Sequence, residues 1–109
     1  PQLQVQEEIP ESDTTRHLYI LRFCSEMMNC TRREFFDALH AENIYSQVHY
    51  LPVYWHAYYE SLGYEKGLCP NAEKYYSEVC SLPLYYSLTD SDVNDVIHAV
   101  KKIVSYYAR

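Results

Sequence analysis

The sequence predicts an α/β fold: a small, mainly antiparallel sheet with helices packed against it, a two-layer sandwich. Three observations predict it. Short apolar runs at strand period alternate with longer ones at helix period, in the order β-α-β-loop-α-β-α. Two helix-start signals, Thr31-x-x-Glu34 and Thr89-x-x-Asp92, each precede an apolar stripe. The strand candidates are short, and the helices are amphipathic, so each helix can cover one sheet face.

The elements are justified in chain order. Residues 1–16 carry Gln, Glu, Pro, Ser and Asp with no apolar period, and read as a linker or arm. The abrupt start at Pro1, with no initiator Met, reads as a cut from a longer chain. His17 to Phe23 is apolar on both alternating faces except at Arg22, which predicts a well-buried strand. After the Thr31–Glu34 box, Phe35, Phe36 and Leu39 form a helix stripe, and Asn43 can take the left-handed stop. Ile44 to Tyr50 alternates: Ile44, Ser46, Val48 and Tyr50 on one face, Tyr45, Gln47 and His49 on the other. A half-buried strand is expected there, its polar face toward solvent or a ligand.

Leu51 to Gly67 is aromatic-rich and reads as irregular with one helical turn. Pro70 suits a helix start, with Ala72, Tyr75, Tyr76 and Val79 following at helical spacing. Leu82 to Tyr85 is expected to be a short strand, at an edge because of Pro83. The last helix carries the most regular stripe: Val93, Val96, Ile97, Val100, Ile103, Val104 and Tyr107. Lys101 and Lys102 are placed to favour its C-terminal end.

Composition excludes some function classes. The net charge is −6, and the one basic pair, Arg32-Arg33, is followed at once by Glu34. Nucleic acid is not an expected partner, since phosphate neutralisation needs clustered cations. No run approaches the roughly 18 apolar residues of a membrane span, so no membrane partner is expected. Cys24, Cys30, Cys69 and Cys80 contain no C-x-x-C pair, which argues against a common zinc site. They are expected to be reduced thiols without a disulfide, which points to the cytoplasm. The 13 tyrosines include four Tyr-Tyr pairs, at 58–59, 75–76, 85–86 and 106–107. Neighbours in a helix or strand point different ways, so one ring of each pair is expected inside and one outside.

No catalytic motif is complete: there is no G-x-S-x-G, phosphate loop, G-x-G-x-x-G or H-E-x-x-H. Of the five histidines, His40 and His98 are expected to face solvent and His17 to be structural. His56 is undecided between the two. His49 shares a face with Gln47, next to Tyr50 and shortly before Pro52 and Tyr54. A Gln, a His and tyrosines at one strand end can form a hydrogen-bonding wall for a polyhydroxylated ligand. The alternative is a His on an exposed sheet face.

The blocks HLYILRF, NIYSQVHYLPVYWHAYY and LGYEKGLCPNAEKYYSEVCSLPLYYSLTDSDVNDVIHAVKKI, in that order, resemble the C-terminal domain of the DegT/DnrJ/EryC1/StrS sugar aminotransferases over residues 15 to 107. Within that family, QVHYLPV, GYEKGLCPNAEKYY and SLPLYYSLTD look most like enzymes of pseudaminic acid synthesis, which aminate a UDP-4-keto-6-deoxy sugar at C4. The resemblance implies the small domain of a fold type I enzyme dependent on pyridoxal phosphate (PLP), homodimeric, with glutamate as amino donor. It implies that residues 1–16 lead from a larger N-terminal domain, that 17–109 is the aminotransferase C-terminal domain, and that the catalytic lysine and PLP site lie in the larger domain. Lys66, Lys74, Lys101 and Lys102 match no cofactor-lysine context, so the chain by itself is expected to be inactive and to bind no PLP. It also implies that Gln47, Val48, His49 and Tyr50 approach the UDP-sugar substrate. Trp55 and His56 depart from the family, where Gln or Pro is commoner. The competing reading is a standalone, non-catalytic, Tyr-rich interaction module.

Overall fold

A computed structural model describes residues 2–109. Its centre is an antiparallel sheet in the order β1-β2-β3, with β1 at Leu3–Val5, β2 at Tyr19–Phe23 and β3 at Val79–Leu82. Leu3 pairs with Phe23 and Val5 with Leu21; on the other side Leu21 pairs with Cys80 and Ile20 with Ser81. Helix α1 spans Arg32–Ala41, the short α2 Ala57–Ser61, α3 Pro70–Glu78 and the long α4 Asp90–Tyr107.

Alternation along β2 sends Leu21 and Phe23 to one side, where they meet Phe35 and Leu39 of α1 and Ala99 and Ile103 of α4. Met28, Ile44 and Cys80 complete this core. The opposite sheet side carries Ile20 and Arg22, with α3 beside it; Arg22 is clamped to Glu78 of α3 at 2.7 Å. The two-layer α/β arrangement is therefore as the sequence predicts.

Both helix starts form as expected. Thr31 and Thr89 accept the backbone N–H of Glu34 and Asp92, and those carboxylates accept the N–H of Thr31 and Thr89 at 2.7 and 2.8 Å. The Thr31 and Thr89 hydroxyls also donate to these carboxylates at 2.8 and 2.6 Å; the backbone bond first at Glu34, and the hydroxyl bond first at Asp92, hold the two carboxyls below their usual range. A group with a depressed folded pKa stabilises the fold above its unfolded pKa, and that contribution is lost as pH falls through the folded value. Stability is thus expected to drop on acidification through and below the ordinary carboxylate range. Thr89→Ala should cost about 1 kcal/mol at neutral pH and flatten part of the acid slope. Urea titrations at several pH values test this; an unaltered slope in Thr89→Ala would reject the link.

Three strand assignments differ from the sequence expectation. The 1–16 segment, expected to be irregular, contains β1, because β2 is central and its second edge needs a backbone partner. The strand expected at Leu82–Tyr85 lies three residues earlier, and Val79 belongs to it rather than to α3. The pairing with β2 ends at Leu82, opposite Tyr19; the missing N–H of Pro83 lies on the outer edge, away from β2.

The third is Ile44–Tyr50, expected to be a strand. Only Gln47 pairs, through reciprocal bonds with Ser81 of 3.0 and 2.7 Å. The next outward-facing positions on β3 are Val79 and Pro83. The Val79 carbonyl accepts from Arg32 at 3.4 Å and Pro83 offers no donor; among the described residues the ladder does not extend beyond the Gln47 bridge. The segment keeps its alternation as far as Gln47: Ile44 and Ser46 are buried, Tyr45 and Gln47 exposed. Beyond it the pattern fails, and Tyr50 is exposed instead of facing inward.

Asn43 takes the left-handed stop with φ of 61°. Three Tyr pairs divide as expected, leaving Tyr58, Tyr75 and Tyr106 exposed and Tyr59, Tyr76 and Tyr107 half-buried; Tyr85 and Tyr86 are both exposed. Lys101 and Lys102 do not reach the last turn of α4, and Lys102 instead pairs with Glu42 at 2.6 Å.

Candidate functional site

The bridge to Ser81 lays Gln47 along the outer edge of β3 and places it on the sheet side opposite the α1–α4 core. His49, two residues on, returns to that same side. Its Nδ1 lies 2.9 Å from the Ser81 hydroxyl. Ser81 is buried at 4% exposure, while His49 is half-buried. Together they wall an open cleft of about 440 Å³ that also includes His17, Asn43, Tyr45 and Tyr85. That volume falls within the range of small-molecule sites.

Of the four residues predicted from sequence, the structure brings Gln47 and His49 into this cleft. Val48 is half-buried and does not line it. Tyr50 stays exposed, its ring edge-on to His49 at 4.6 Å. Sequence reasoning put Tyr45 on the same face as Gln47 and His49 and missed Ser81, Asn43 and Tyr85. Only Ser81 carried a hint: it is a polar residue between the apolar pairs Val79-Cys80 and Leu82-Pro83, where a buried hydroxyl needs a partner. His17, read as structural, is exposed at the cleft rim. His40 was expected to face solvent; it lies between Phe36 and Tyr45, and its Nε2 is buried without a hydrogen-bond partner. His98 and His56 are exposed.

The chain after Tyr50 is anchored by one buried ring. The Tyr54 hydroxyl donates to Glu73 of α3 at 2.6 Å and accepts the Cys69 N–H at 3.2 Å. The Gly67 N–H donates to the same carboxylate, from a left-handed backbone with φ of 94° that suits glycine. Loss of solvent, then the neighbouring Glu73, pushes the Tyr54 hydroxyl pKa up; its hydrogen bond holds the Glu73 carboxyl below its usual range. Trp55 packs edge-on to Tyr76 at 5.5 Å, and Arg32 sits over Tyr76 at 5.1 Å. Trp55, which departs from the family pattern, is thus a packing residue here.

Lys66 is exposed with its Nζ 4.6 Å from the Trp55 ring centre, Lys102 pairs with Glu42, and Lys74 and Lys101 are exposed. None lines the cleft at His49. Cys24, Cys30, Cys69 and Cys80 are free thiols, and among the described residues no helix is long and apolar enough to cross a membrane.

The comparisons with known proteins agree on the family. The model of the DegT/DnrJ/EryC1/StrS aminotransferase family matches residues 1–101. The chain is 47% identical over 90 residues to the spore coat polysaccharide biosynthesis protein SpsC of Bacillus subtilis, covering 81% of this chain and 23% of that protein. It is 29% identical over 89 residues to the UDP-4-amino-4,6-dideoxy-N-acetyl-beta-L-altrosamine transaminase of Helicobacter pylori, covering 82% and 23%. Among solved structures, PseC of Helicobacter pylori, an aminotransferase of pseudaminic acid biosynthesis, superposes with a TM-score of 0.84 at 25% identity, over 97% of this chain and 28% of that one. A Streptococcus pneumoniae chain assigned as a sugar aminotransferase, solved in its PLP form, gives 0.85 at 26%, over 96% and 27%. This chain spans about a quarter of the length of the relatives it matches. With a family model covering nearly all of its residues and a matching three-stranded architecture, the chain belongs to the DegT/DnrJ/EryC1/StrS aminotransferase family.

Proposed function

We propose that this chain is the C-terminal part of a PLP-dependent aminotransferase acting on a nucleotide-linked keto sugar, and that its share of the work is to hold the sugar. The observation that carries this is the placement of Gln47 and His49 on one polar wall at the β3 edge. PLP, when bound, supplies the electron sink for amino transfer. Its lysine and phosphate contacts are assigned to a larger N-terminal domain, since no lysine of this chain fits them. We place residues 1–16 as the lead-in from that domain, with Leu3–Val5 paired into the sheet of the small domain, and 17–109 as the rest of that domain.

In this reading Gln47 offers both an amide donor and a carbonyl acceptor, and His49 one ring nitrogen, to the hydroxyl and carbonyl oxygens of the sugar. Val48 and Tyr50 shape the segment, and Tyr50 extends the wall with its exposed ring. Glutamate is proposed as amino donor and a homodimer as the working form. A UDP-4-keto-6-deoxy sugar is the specific candidate substrate, from the likeness to the Helicobacter pylori enzyme. The higher identity to SpsC keeps other nucleotide sugars in the test. Exposed Tyr45, Tyr50, Val53 and Tyr58 would meet the rest of the assembly.

The test is kinetic. In the complete enzyme, His49→Ala and Gln47→Ala should each lower kcat/KM for the sugar nucleotide, by up to roughly tenfold per lost neutral hydrogen bond. The PLP absorbance should not change. Unchanged kcat/KM in both variants would remove this segment from the site.

A further inference from the structure

We infer that Ser81 is a positioning residue that locks His49 in its Nε2–H tautomer, so that the cleft receives a fixed hydrogen-bond donor for an oxygen acceptor of the ligand. The donor's partner rests on the sugar-binding reading above; the tautomer does not.

The argument starts from the Ser81 hydroxyl. Ser81 is buried, and its backbone is held by Gln47 on one side and registered against Ile20 on the other, so the side chain has a fixed origin. Among the described residues its hydroxyl has one partner, the His49 Nδ1 at 2.9 Å. A hydroxyl carries one proton and a neutral imidazole carries one, so two arrangements exist. If Nδ1–H donated to the serine oxygen, the serine proton would have no acceptor among the described residues. If the serine donates to Nδ1, every proton at this contact is used. The second arrangement avoids an orphaned buried donor and places the ring proton on Nε2.

Nε2 has no hydrogen bond to the protein and is not a buried atom, so its proton is available to a ligand. Tyr50, edge-on to the ring, restricts its rotation from the other side. A preset N–H matches a hydroxyl, carbonyl or phosphate oxygen and not another donor. Asn43 and Gln47, at the same cleft, can present either polarity by turning their amides. His49 is then the group that fixes which way round the ligand's polar atoms lie.

The experiment has two arms. In the first, the chain is labelled with 15N-histidine and its ring nitrogens are read by long-range proton–nitrogen correlation at a pH where the ring is neutral. His49 should show an unprotonated Nδ1 and a protonated Nε2. Ser81→Ala should make the two tautomers mix while the backbone spectrum elsewhere is kept, and Ser81→Thr should restore the single tautomer. A His49 signal with the proton on Nδ1, or one unmoved by Ser81→Ala, overturns the inference whatever the ligand is. In the second arm, Ser81→Ala in the complete enzyme should raise KM for the UDP-4-keto sugar about three- to tenfold with kcat and the PLP absorbance little changed, and Ser81→Thr should recover it. If the tautomer result holds and KM does not move, the ligand donor role fails, while the sugar-binding reading of this wall is decided separately by His49→Ala and Gln47→Ala. Ser81 would then order the ring without serving the substrate.

Discussion

Replacing Phe35 by Ala is expected to lower the stability of this chain by about 3–5 kcal/mol. Phe35 is fully buried, and its ring lies 5.5 Å from that of Phe23 on the central strand. It is the contact through which the first turn of α1 is fastened to β2. Removing the ring leaves a cavity bounded by a strand paired on both sides and a helix capped at its start, neither of which can relax far. Domain stabilities of about 5–15 kcal/mol leave little reserve after such a loss. Urea unfolding followed by circular dichroism would measure it, and a loss below about 1 kcal/mol would show that the α1–sheet contact is not central to the fold.

The second large effect concerns the thiols. Burial pushes the Cys80 thiol up to about 11. At pH 8 only about one Cys80 in a thousand would be thiolate, the reactive form. Cys69, before the first turn of α3, is exposed. Under native conditions Cys69 is expected to react with a thiol reagent within minutes. Cys80 should react at least a hundredfold more slowly, and only as the sheet opens. Peptide mapping after timed labelling would rank the four residues. Comparable rates for Cys69 and Cys80 would mean that β3 opens far more readily than its pairing with β2 implies.

The candidate site was half legible. Gln47 could be placed because alternation is local and survives as far as that residue, and His49 reaches the same cleft through its contact with Ser81. Their partner could not be placed. Ser81 lies 32 residues from His49, and nothing in the intervening sequence states which edge of β3 will be free. His40 was misread for a related reason. A histidine beside charged residues on a helix looks solvated, but the chain turns at Asn43 and lays Tyr45 against it.

By itself the sequence determined where the three longer helices start and where α1 stops. Each Thr box closes within three residues, Pro70 takes the first position of α3, and Asn43 takes the left-handed turn. Such features depend on neighbours in the chain and are readable without the rest of the molecule. The tertiary structure decided the sheet. It made a strand of Leu3–Val5, moved the start of β3 back from Leu82 to Val79, and reduced Ile44–Tyr50 to one bridge at Gln47. Helices satisfy their own backbone groups, whereas a strand exists only where a distant strand has N–H and C=O groups still free. Here Pro83 had no donor, and it is Ser81 that holds Gln47 through its backbone and meets His49 through its hydroxyl.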